Sequence, residues 1–232
     1  MTQLITALDG LSLTEARSLV KKLDAEVEWF KIGKELFTRY GPACVEVVKG
    51  EGKKVFLDLK YHDIPNTVAG AVRSASELGV DMLNVHASGG LEMMTAAVET
   101  AASEHVLVVA VTVLTSMNEK ELENIGIDDP PQSHVVRLAA LAHRAGMHGV
   151  VCSAWEIDAV REAVKQDEFI LVVPGIRPQG TAHGDQRRVM TPLEAHEKGA
   201  NYIVVGRPVV EAPDPVQAAR SINVELTLPD GC

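Results

Sequence analysis

Eight short apolar segments recur along the chain, and this repetition restricts the fold more than any other feature of the sequence. Each segment is rich in valine, isoleucine or leucine and is short for a helix, which is typical of strands buried on both faces of a parallel sheet. The segments are residues 4–8, 27–33, 54–60, 82–87, 106–114, 149–154, 170–176 and 202–206. Helical patterns lie between them, so we predict alternating strands and helices in an α/β fold.

Several helix boundaries are marked by capping patterns. Ser12-Leu-Thr-Glu15 and Thr191-Pro-Leu-Glu194 each pair a hydroxyl side chain with a glutamate three positions later, which predicts a capping box at a helix start. Asp214-Pro215 predicts the start of a last helix. The long interval 115–148 contains an Asp-Asp-Pro-Pro break, so we predict two helices within it.

The number of strands favours one closed barrel. Eight units in 232 residues leave 29 residues for each unit, which matches a strand–helix unit of about 30 residues. No linker or low-complexity segment divides the chain. We therefore predict one (β/α)₈ barrel domain over residues 1–232. A doubly wound open sheet is the alternative, because the number of strands does not prove closure.

Charge and composition exclude several classes of protein. A formal net charge of −10 argues against a general nucleic-acid surface. No segment approaches the roughly 20 apolar residues of a membrane span, and the first residues lack the pattern of a signal peptide. The three cysteines, Cys44, Cys152 and Cys232, have no metal-ligand spacing. We predict reduced thiols and a cytoplasmic protein that binds neither nucleic acid nor membrane.

Polar side chains concentrate where the predicted strands end. In this kind of barrel the active site lies at the carboxyl ends of the strands. Side chains alternate along a strand, so Asp58 and Lys60 share one face with Phe56, and an inward orientation would place an acid and a base at the barrel mouth. The polar residues at or just after strand ends are Asp9, Lys31, Asp58, Lys60, Asp63, His86, Thr115, Arg177 and Arg207.

Each of these residues also has a purely structural interpretation. Asp58 and Lys60 would form a buried ion pair, since structural pairs occur as readily as catalytic ones. Asp63 would cap the following helix, and His86 would be a supporting core residue. The two arginines would be solvated surface charges. Convergence of so many polar groups on one rim favours a functional site.

Two loops suggest an anionic ligand. Residues 172–188 follow the seventh strand and are Gly-rich and basic, which predicts a mobile lid. Gly206 and Arg207 follow the eighth strand. Loops after strands seven and eight form the usual phosphate site of such barrels, and a guanidinium beside a glycine turn suits a phosphate.

These residues resemble one known family over nearly the whole chain, the orotidine 5′-monophosphate decarboxylases. The most specific match is Asp58-x-Lys60-x-x-Asp63-Ile-Pro-x-Thr67. The supporting matches are ALDG with Asp9, FKIG with Lys31, NVHASGG with His86, VTVLTS with Thr115, VVPGIR with Arg177, DQRR with Gln186, and VVGR with Gly206 and Arg207.

The resemblance implies conversion of orotidine 5′-monophosphate to uridine 5′-monophosphate and CO₂, without metal or cofactor. It implies a charged array of Lys31, Asp58, Lys60 and Asp63. Loss of CO₂ leaves negative charge on a ring carbon, and a fixed ammonium can stabilise that charge and then deliver a proton, so we predict Lys60 as the proton donor. The resemblance also implies a homodimer, in which Asp63 and Thr67 complete the neighbouring subunit's site.

The resemblance assigns the substrate contacts as well. Thr115 is expected at the pyrimidine, although the sequence leaves Ser116 as an alternative. The remaining expected contacts are Lys31 in the array, Asp9 at the ribose, Gln186 and Arg207 at the phosphate, and Arg177 and Gly206 in the phosphate-side loops.

Two other functions remain open at this point. Magnesium-dependent phosphosugar decarboxylases and synthases resemble this chain in fold and in the Asp-x-Lys-x-x-Asp motif. They carry an acidic metal ligand on the second strand, where this chain has Lys31, whose charge would repel a metal ion. A catalytically silent phosphate-binding protein is the other alternative, and the presence of the whole charged array argues against it.

Overall fold

The computed structural model describes residues 2–178 and 190–227, and within these ranges eight parallel strands close into a barrel. Each strand pairs with the next along the chain, and the eighth pairs with the first. The predicted barrel is confirmed, and the open-sheet alternative is wrong. The strands are β1 (Gln3–Ala7), β2 (Trp29–Gly33), β3 (Lys54–Tyr61), β4 (Met82–His86), β5 (Leu107–Val111), β6 (Gly149–Val151), β7 (Ile170–Pro174) and β8 (Tyr202–Val205).

Helices connect the strands on the outside of the barrel. Among the helices of the described ranges, none is long and apolar enough to cross a membrane. Three short 3₁₀ turns lie at Ala87–Gly89, Ala102–Glu104 and Ala154–Glu156. The α-helices are α1 (Leu13–Lys22), α2 (Lys34–Tyr40), α3 (Ala43–Lys49), α4 (Pro65–Glu77), α5 (Leu91–Ala101), α6 (Glu119–Glu123), α7 (Pro131–Arg144), α8 (Ile157–Ala163), α9 (Pro192–Glu197), α10 (Arg207–Val210) and α11 (Pro215–Glu225).

The predicted helix starts are confirmed. Ser12 and Thr191 form capping boxes with Glu15 and Glu194, and the Asp214 side chain accepts hydrogen bonds from the first turn of α11. The interval 115–148 holds two α-helices, α6 and α7. These caps satisfy backbone N–H groups that a helix leaves unpaired at its start, and each contributes about 1 kcal/mol.

Alternation along the strands produces two apolar layers. One set of side chains faces the helices and forms the large outer core, in which Leu57, Leu83 and Ile203 are fully buried. The opposite set fills the barrel interior with Ile5, Ala7, Trp29, Phe56, Met82, Val109, Val172 and Val204. Each fully buried large apolar side chain stabilises the fold by roughly 1.5–3 kcal/mol. The interior packing leaves the carboxyl end of the barrel as the place for polar groups.

Among the strands of the described residues, one pairing is irregular: at the end of β3 the register with β4 shifts between Leu57 and Tyr61. Lys60 lies in this interval and adopts a left-handed backbone conformation, with φ of 54°. Such a conformation costs a non-glycine residue about 1–2 kcal/mol, so surrounding contacts must hold it. The simple alternation that placed Lys60 beside Asp58 is therefore interrupted, although both side chains still reach the barrel mouth.

Candidate active site

Four charged side chains from three neighbouring strand ends form a chain of alternating sign. The Lys31 ammonium lies 2.7 Å from Asp9 Oδ2 and 3.2 Å from Asp58 Oδ2. The Lys60 ammonium lies 2.5 Å from the other oxygen of Asp58, Oδ1. The order is therefore Asp9, Lys31, Asp58, Lys60, with Asp58 held between two cations.

Burial and neighbouring charge oppose each other at the centre of this array. Burial disfavours the charge on Lys31, but the carboxylates of Asp58 and Asp9 outweigh it and raise the pKa of Lys31. Burial likewise disfavours the Asp58 carboxylate, but Lys31 and Lys60 outweigh it and lower the pKa of Asp58. Both groups are therefore charged near neutral pH, and the site presents a fixed pattern of charge rather than a neutral hydrogen-bonded pair.

A glycine makes room for the first half of the array. A Cβ atom at Gly33, the last residue of β2, would lie 2.0 Å from Asp9 Oδ1 and 2.9 Å from Lys31 Nζ. No side chain fits at these distances without displacing the ion pair. The glycine of the FKIG segment thus allows Asp9 and Lys31 to approach each other.

The second half of the array opens into an inner cavity of about 160 Å³. Lys31, Asp58 and Lys60 form its charged wall. The opposite walls are largely apolar, and they keep the dielectric low around the ammonium of Lys60. The other lining residues are Phe56, Asn84, Val111, Val113, Leu114, Thr115, Val151, Cys152, Pro174 and Val204.

A second cavity of about 450 Å³ adjoins the first and shares Lys31, Pro174 and Val204 with it. Arg177 and Arg207 line it from the loops after β7 and β8, beside Gly175 and Gly206. Asp9, Glu35 and Glu211 also line this cavity. The two cavities together form a cleft with a charged, partly apolar inner end and an arginine-bearing outer end.

Comparison with known proteins places this arrangement in a family. A family model described as the orotidine 5′-phosphate decarboxylase / HUMPS family matches residues 2–222. The chain belongs to this family. The charged array and the two-part cleft therefore lie in a barrel of the orotidine 5′-phosphate decarboxylase / HUMPS type.

Individual relatives within this family are similar in sequence or structure to almost the whole of this chain. A protein of Nitrosococcus oceani named orotidine 5′-phosphate decarboxylase is 50% identical over 228 residues, which cover 97% of this chain and 98% of that protein. A protein of the same name from Vibrio vulnificus is 49% identical over 228 residues, with 97% and 98% coverage. The crystal structure of orotidine 5′-phosphate decarboxylase from Lactobacillus acidophilus has a TM-score of 0.86 and 35% identity, and covers 97% of this chain and 99% of that one.

Two residues of the family motif lie apart from the cleft. Asp63 and Thr67 are exposed, and neither lines the inner or the outer cavity. The Asp63 carboxylate accepts a hydrogen bond from the backbone N–H of Ile64 at 2.7 Å, and α4 begins at Pro65 without a side-chain cap. The helix-cap interpretation of Asp63 is therefore wrong in this structure.

The other predicted substrate contacts lie in the inner cavity or the outer cavity, except Gln186. Thr115 lines the inner cavity, whereas Ser116 is exposed. Arg177, Gly206 and Arg207 line the outer cavity. Gln186 and most of the predicted lid lie outside the described residues.

The sequence interpretation missed Asn84. This residue is buried, lines the inner cavity and contacts both Asp58 and the Lys60 backbone. A signal was present, because Asn84 lies between Met82 and His86 on the inward face of β4 and is the one amide in an apolar strand.

His86 lies at the rim and is held neutral by its surroundings. Burial, the neighbouring His62 ring and the charge of Lys34 lower the pKa of His86 to about 4. The centroids of the two imidazole rings are 5.5 Å apart. A base acting near neutral pH needs a pKa near the working pH, so this environment favours the supporting role predicted for His86.

We expect His86 to make the protein less stable in mild acid. The unfolded chain binds a proton at this histidine with a pKa of 6.5, whereas the native state binds it only at about 4. Between these pH values the unfolded state holds more protons, so the free energy of unfolding falls as the pH falls. In urea titrations from pH 7 to pH 4, His86→Gln should lose less stability than the wild type. His105→Asn, which changes an exposed histidine whose left-handed backbone asparagine tolerates, should lose stability with the same slope as the wild type. An equal slope for His86→Gln would contradict the assignment.

Proposed function

We propose that this protein decarboxylates orotidine 5′-monophosphate to uridine 5′-monophosphate and CO₂, without metal or cofactor. One observation carries the proposal: the Lys60 ammonium is held by Asp58 at the inner end of a cleft whose outer end carries Arg177 and Arg207. A nucleoside monophosphate matches the two ends of this cleft, because its reacting base would lie at the inner end and its phosphate at the outer end. The names of the relatives support the same substrate.

Lys60 supplies the central chemistry of this mechanism. The bond between the pyrimidine ring carbon and the carboxylate carbon breaks, and its electron pair stays on the ring carbon as CO₂ leaves. The ammonium of Lys60 stabilises this negative charge as it develops and then transfers a proton to the ring carbon. The resulting neutral amine recovers its proton from solvent, which completes the cycle.

Asp58 and Lys31 prepare this ammonium. Asp58 orients the Lys60 side chain through the 2.5 Å contact between its Oδ1 atom and the Lys60 ammonium. Asp58 also opposes the negative charge of the substrate carboxylate, and this repulsion is relieved when CO₂ leaves. Lys31, bonded to Asp58 and Asp9, keeps Asp58 ionised and positions the carboxylate assigned to the ribose.

The phosphate provides binding energy away from the reacting carbon. Three carboxylates, those of Asp9, Glu35 and Glu211, also line the outer cavity. They would repel an anion, so the phosphate is expected at the edge formed by Arg177, Gly206 and Arg207. Charge-assisted bonds to a phosphate are strong and directional. Such remote binding energy is available to assemble the site around the base. Gln186 is assigned to the same group by the family resemblance alone.

A homodimer is part of the proposal. Asp63 and Thr67 are exposed in the single chain, although the motif that carries them begins in the charged array. Ile64, which lies between them in the sequence, is 67% exposed. Leu91, the first residue of α5, is 38% exposed, and α5 packs beside α4. Exposed apolar side chains beside a functional motif suit a protein interface. We infer that Asp63 and Thr67 enter the site of a second copy.

Lys31 separates this proposal from the phosphosugar alternative. Its ammonium lies within 3.2 Å of Asp58 and 2.7 Å of Asp9, so a cation is already built into the acidic part of the site. A divalent ion placed there would be repelled by the ammonium.

A cytoplasmic location completes the proposal and is supported by the buried free thiols of Cys44 and Cys152.

The loss of orotidine 5′-monophosphate absorbance tests the function directly. Purified protein, dialysed against EDTA and assayed in excess EDTA, should convert the substrate to uridine 5′-monophosphate at the same rate as untreated protein. Activity that disappears in EDTA and returns with magnesium would favour the phosphosugar class. Substrate binding without product, measured by calorimetry, would favour a silent binding protein.

A further inference from the structure

Asn84 connects the two residues at the centre of the proposed chemistry. Its side chain is 1% exposed and lies on the inward face of β4. The side-chain nitrogen, Nδ2, donates to Asp58 Oδ1 at 2.7 Å. The side-chain oxygen, Oδ1, accepts from the backbone N–H of Lys60 at 2.8 Å. One amide therefore contacts the acid and the residue that carries the base.

The backbone contact lies where the sheet itself is irregular. The register of β3 against β4 shifts between Leu57 and Tyr61, and Lys60 has a left-handed backbone within that interval. A buried or half-buried N–H that leaves the regular ladder needs another acceptor. The Asn84 side chain supplies it, and so stabilises the backbone conformation that points Lys60 toward Asp58.

The chemistry of the neighbours fixes the orientation of the amide. A backbone N–H only donates, and an ionised carboxylate only accepts. The Asn84 oxygen must therefore face Lys60, and its nitrogen must face Asp58. Among common side chains of this size, an amide offers a donor and an acceptor together at neutral pH.

We propose that Asn84 is a positioning residue that holds Asp58 and Lys60 in their productive geometry. The proposal rests on the function proposed above, since it concerns the efficiency of that reaction. Asn84 acts through its neighbours and is not itself assigned a contact with the substrate. Its effect should appear in kcat more than in KM, because the phosphate end of the cleft is separate.

Removing the amide tests this directly. In Asn84→Ala we expect kcat to fall by on the order of 10²-fold, the size expected for a displacement of about 1 Å at a reacting group, with a much smaller change in KM. A crystal structure of the variant should show that the Lys60 ammonium no longer contacts Asp58. A folded Asn84→Ala protein with kcat within about twofold of the wild type would overturn the proposal.

The isosteric change Asn84→Asp gives a second, independent readout. Above neutral pH the new carboxylate faces Asp58, and two adjacent carboxylates repel each other. When the new carboxyl binds a proton, it can donate to Asp58 and accept from Lys60, as the amide does. The ratio of variant to wild-type kcat should therefore rise as the pH falls, whereas the ratio for Asn84→Ala should stay flat.

Within the described ranges, few charged or titratable groups face Asn84. Asp58 and Lys60 lie on β3, Lys31 lies on β2, and His86 follows on β4 itself. The thiol of Cys152, which follows β6, lines the same cavity. The neighbouring strand β5 pairs Val109 with Asn84 in register and contributes no charge there. A flat ratio for Asn84→Asp would overturn the proposal even if Asn84→Ala did not fold.

Asn201 provides a matched control. Its side chain also supports a strand, by accepting from the backbone N–H of Leu171 at 2.8 Å, but it precedes β8 at the opposite end of the barrel. Asn201→Ala should lower stability and leave kcat and its pH dependence unchanged; a comparable loss of kcat would show that Asn84 acts only through stability. If the wild type itself does not turn over orotidine 5′-monophosphate, the proposed function fails, which is distinct from a failure confined to the Asn84 variants.

Discussion

Lys60→Ala is expected to abolish decarboxylation while leaving the barrel folded. The change removes the ammonium that stabilises the developing charge and the proton that replaces CO₂. A general acid contributes about 10²–10⁴-fold and a preorganised electrostatic contact about 10²–10³-fold, so kcat should fall by on the order of 10⁴-fold or more. Steady-state rates at saturating orotidine 5′-monophosphate measure this loss, and circular dichroism checks the fold.

The same strand offers a matched control. Lys54 begins β3 at the opposite end of the barrel, where its ammonium lies 5.3 Å from the centre of the Trp29 ring. Lys54→Ala removes an identical charge from the same element and should retain activity. Lys60→Gly should be as inactive as Lys60→Ala, since glycine accepts the left-handed backbone and isolates the loss of the ammonium. Substantial turnover by both Lys60 variants in clean preparations would remove Lys60 from the role of proton donor.

Mixing two inactive variants should restore activity if the protein is the proposed dimer. Asp63 follows Lys60 by three residues, and an extended segment covers at most about 3.3–3.6 Å per residue, so Asp63 can extend beyond its own barrel. Each site of the proposed dimer uses Lys60 from one chain and Asp63 from the other. In a mixed dimer of Asp63→Ala and Lys60→Ala, one active site therefore contains both substitutions and the other contains neither. Random exchange makes about half of the dimers mixed, so activity should approach about a quarter of the wild-type value per subunit.

A second mixture serves as the control. Asp58 contacts Lys60 within one chain at 2.5 Å, so a mixed dimer of Asp58→Asn and Lys60→Ala has one defect in each site and should stay inactive. Subunit exchange is checked separately by mass spectrometry of differently tagged chains. Exchange without recovery in the Asp63 mixture would show that Asp63 serves its own subunit, or that the protein is not this dimer.

The sequence was a good guide to the barrel because its signals are local. A buried parallel strand needs a short run of apolar β-branched residues, and a helix start needs a capping side chain within a few positions. The segment 54–60 is strand Lys54–Tyr61, and the capping boxes at Ser12 and Thr191 are both present. Strand ends were less accurate: the segment 106–114 ends as a strand at Val111, and Leu114 is 39% exposed.

The sequence also placed most of the candidate site, since a barrel brings the carboxyl ends of all its strands to one rim. That rule is sufficient to bring Lys31, Asp58 and Lys60 together. It does not give the order of their contacts. The bond between Asp9 and Lys31 joins residues 22 positions apart, and only the packed strands, with Gly33 leaving space, set its length.

By itself, the sequence determined the alternation of strands and helices, the rim where charge collects and the family motif from Asp58 to Thr67. The tertiary structure decided closure of the barrel, the left-handed backbone of Lys60 and the bridging role of Asn84. Extended backbone is the local expectation at Lys60, and its actual conformation depends on an acceptor 24 residues away in the chain. Local patterns specify local geometry, whereas a strained backbone is stable only when distant side chains pack against it and satisfy its hydrogen bonds.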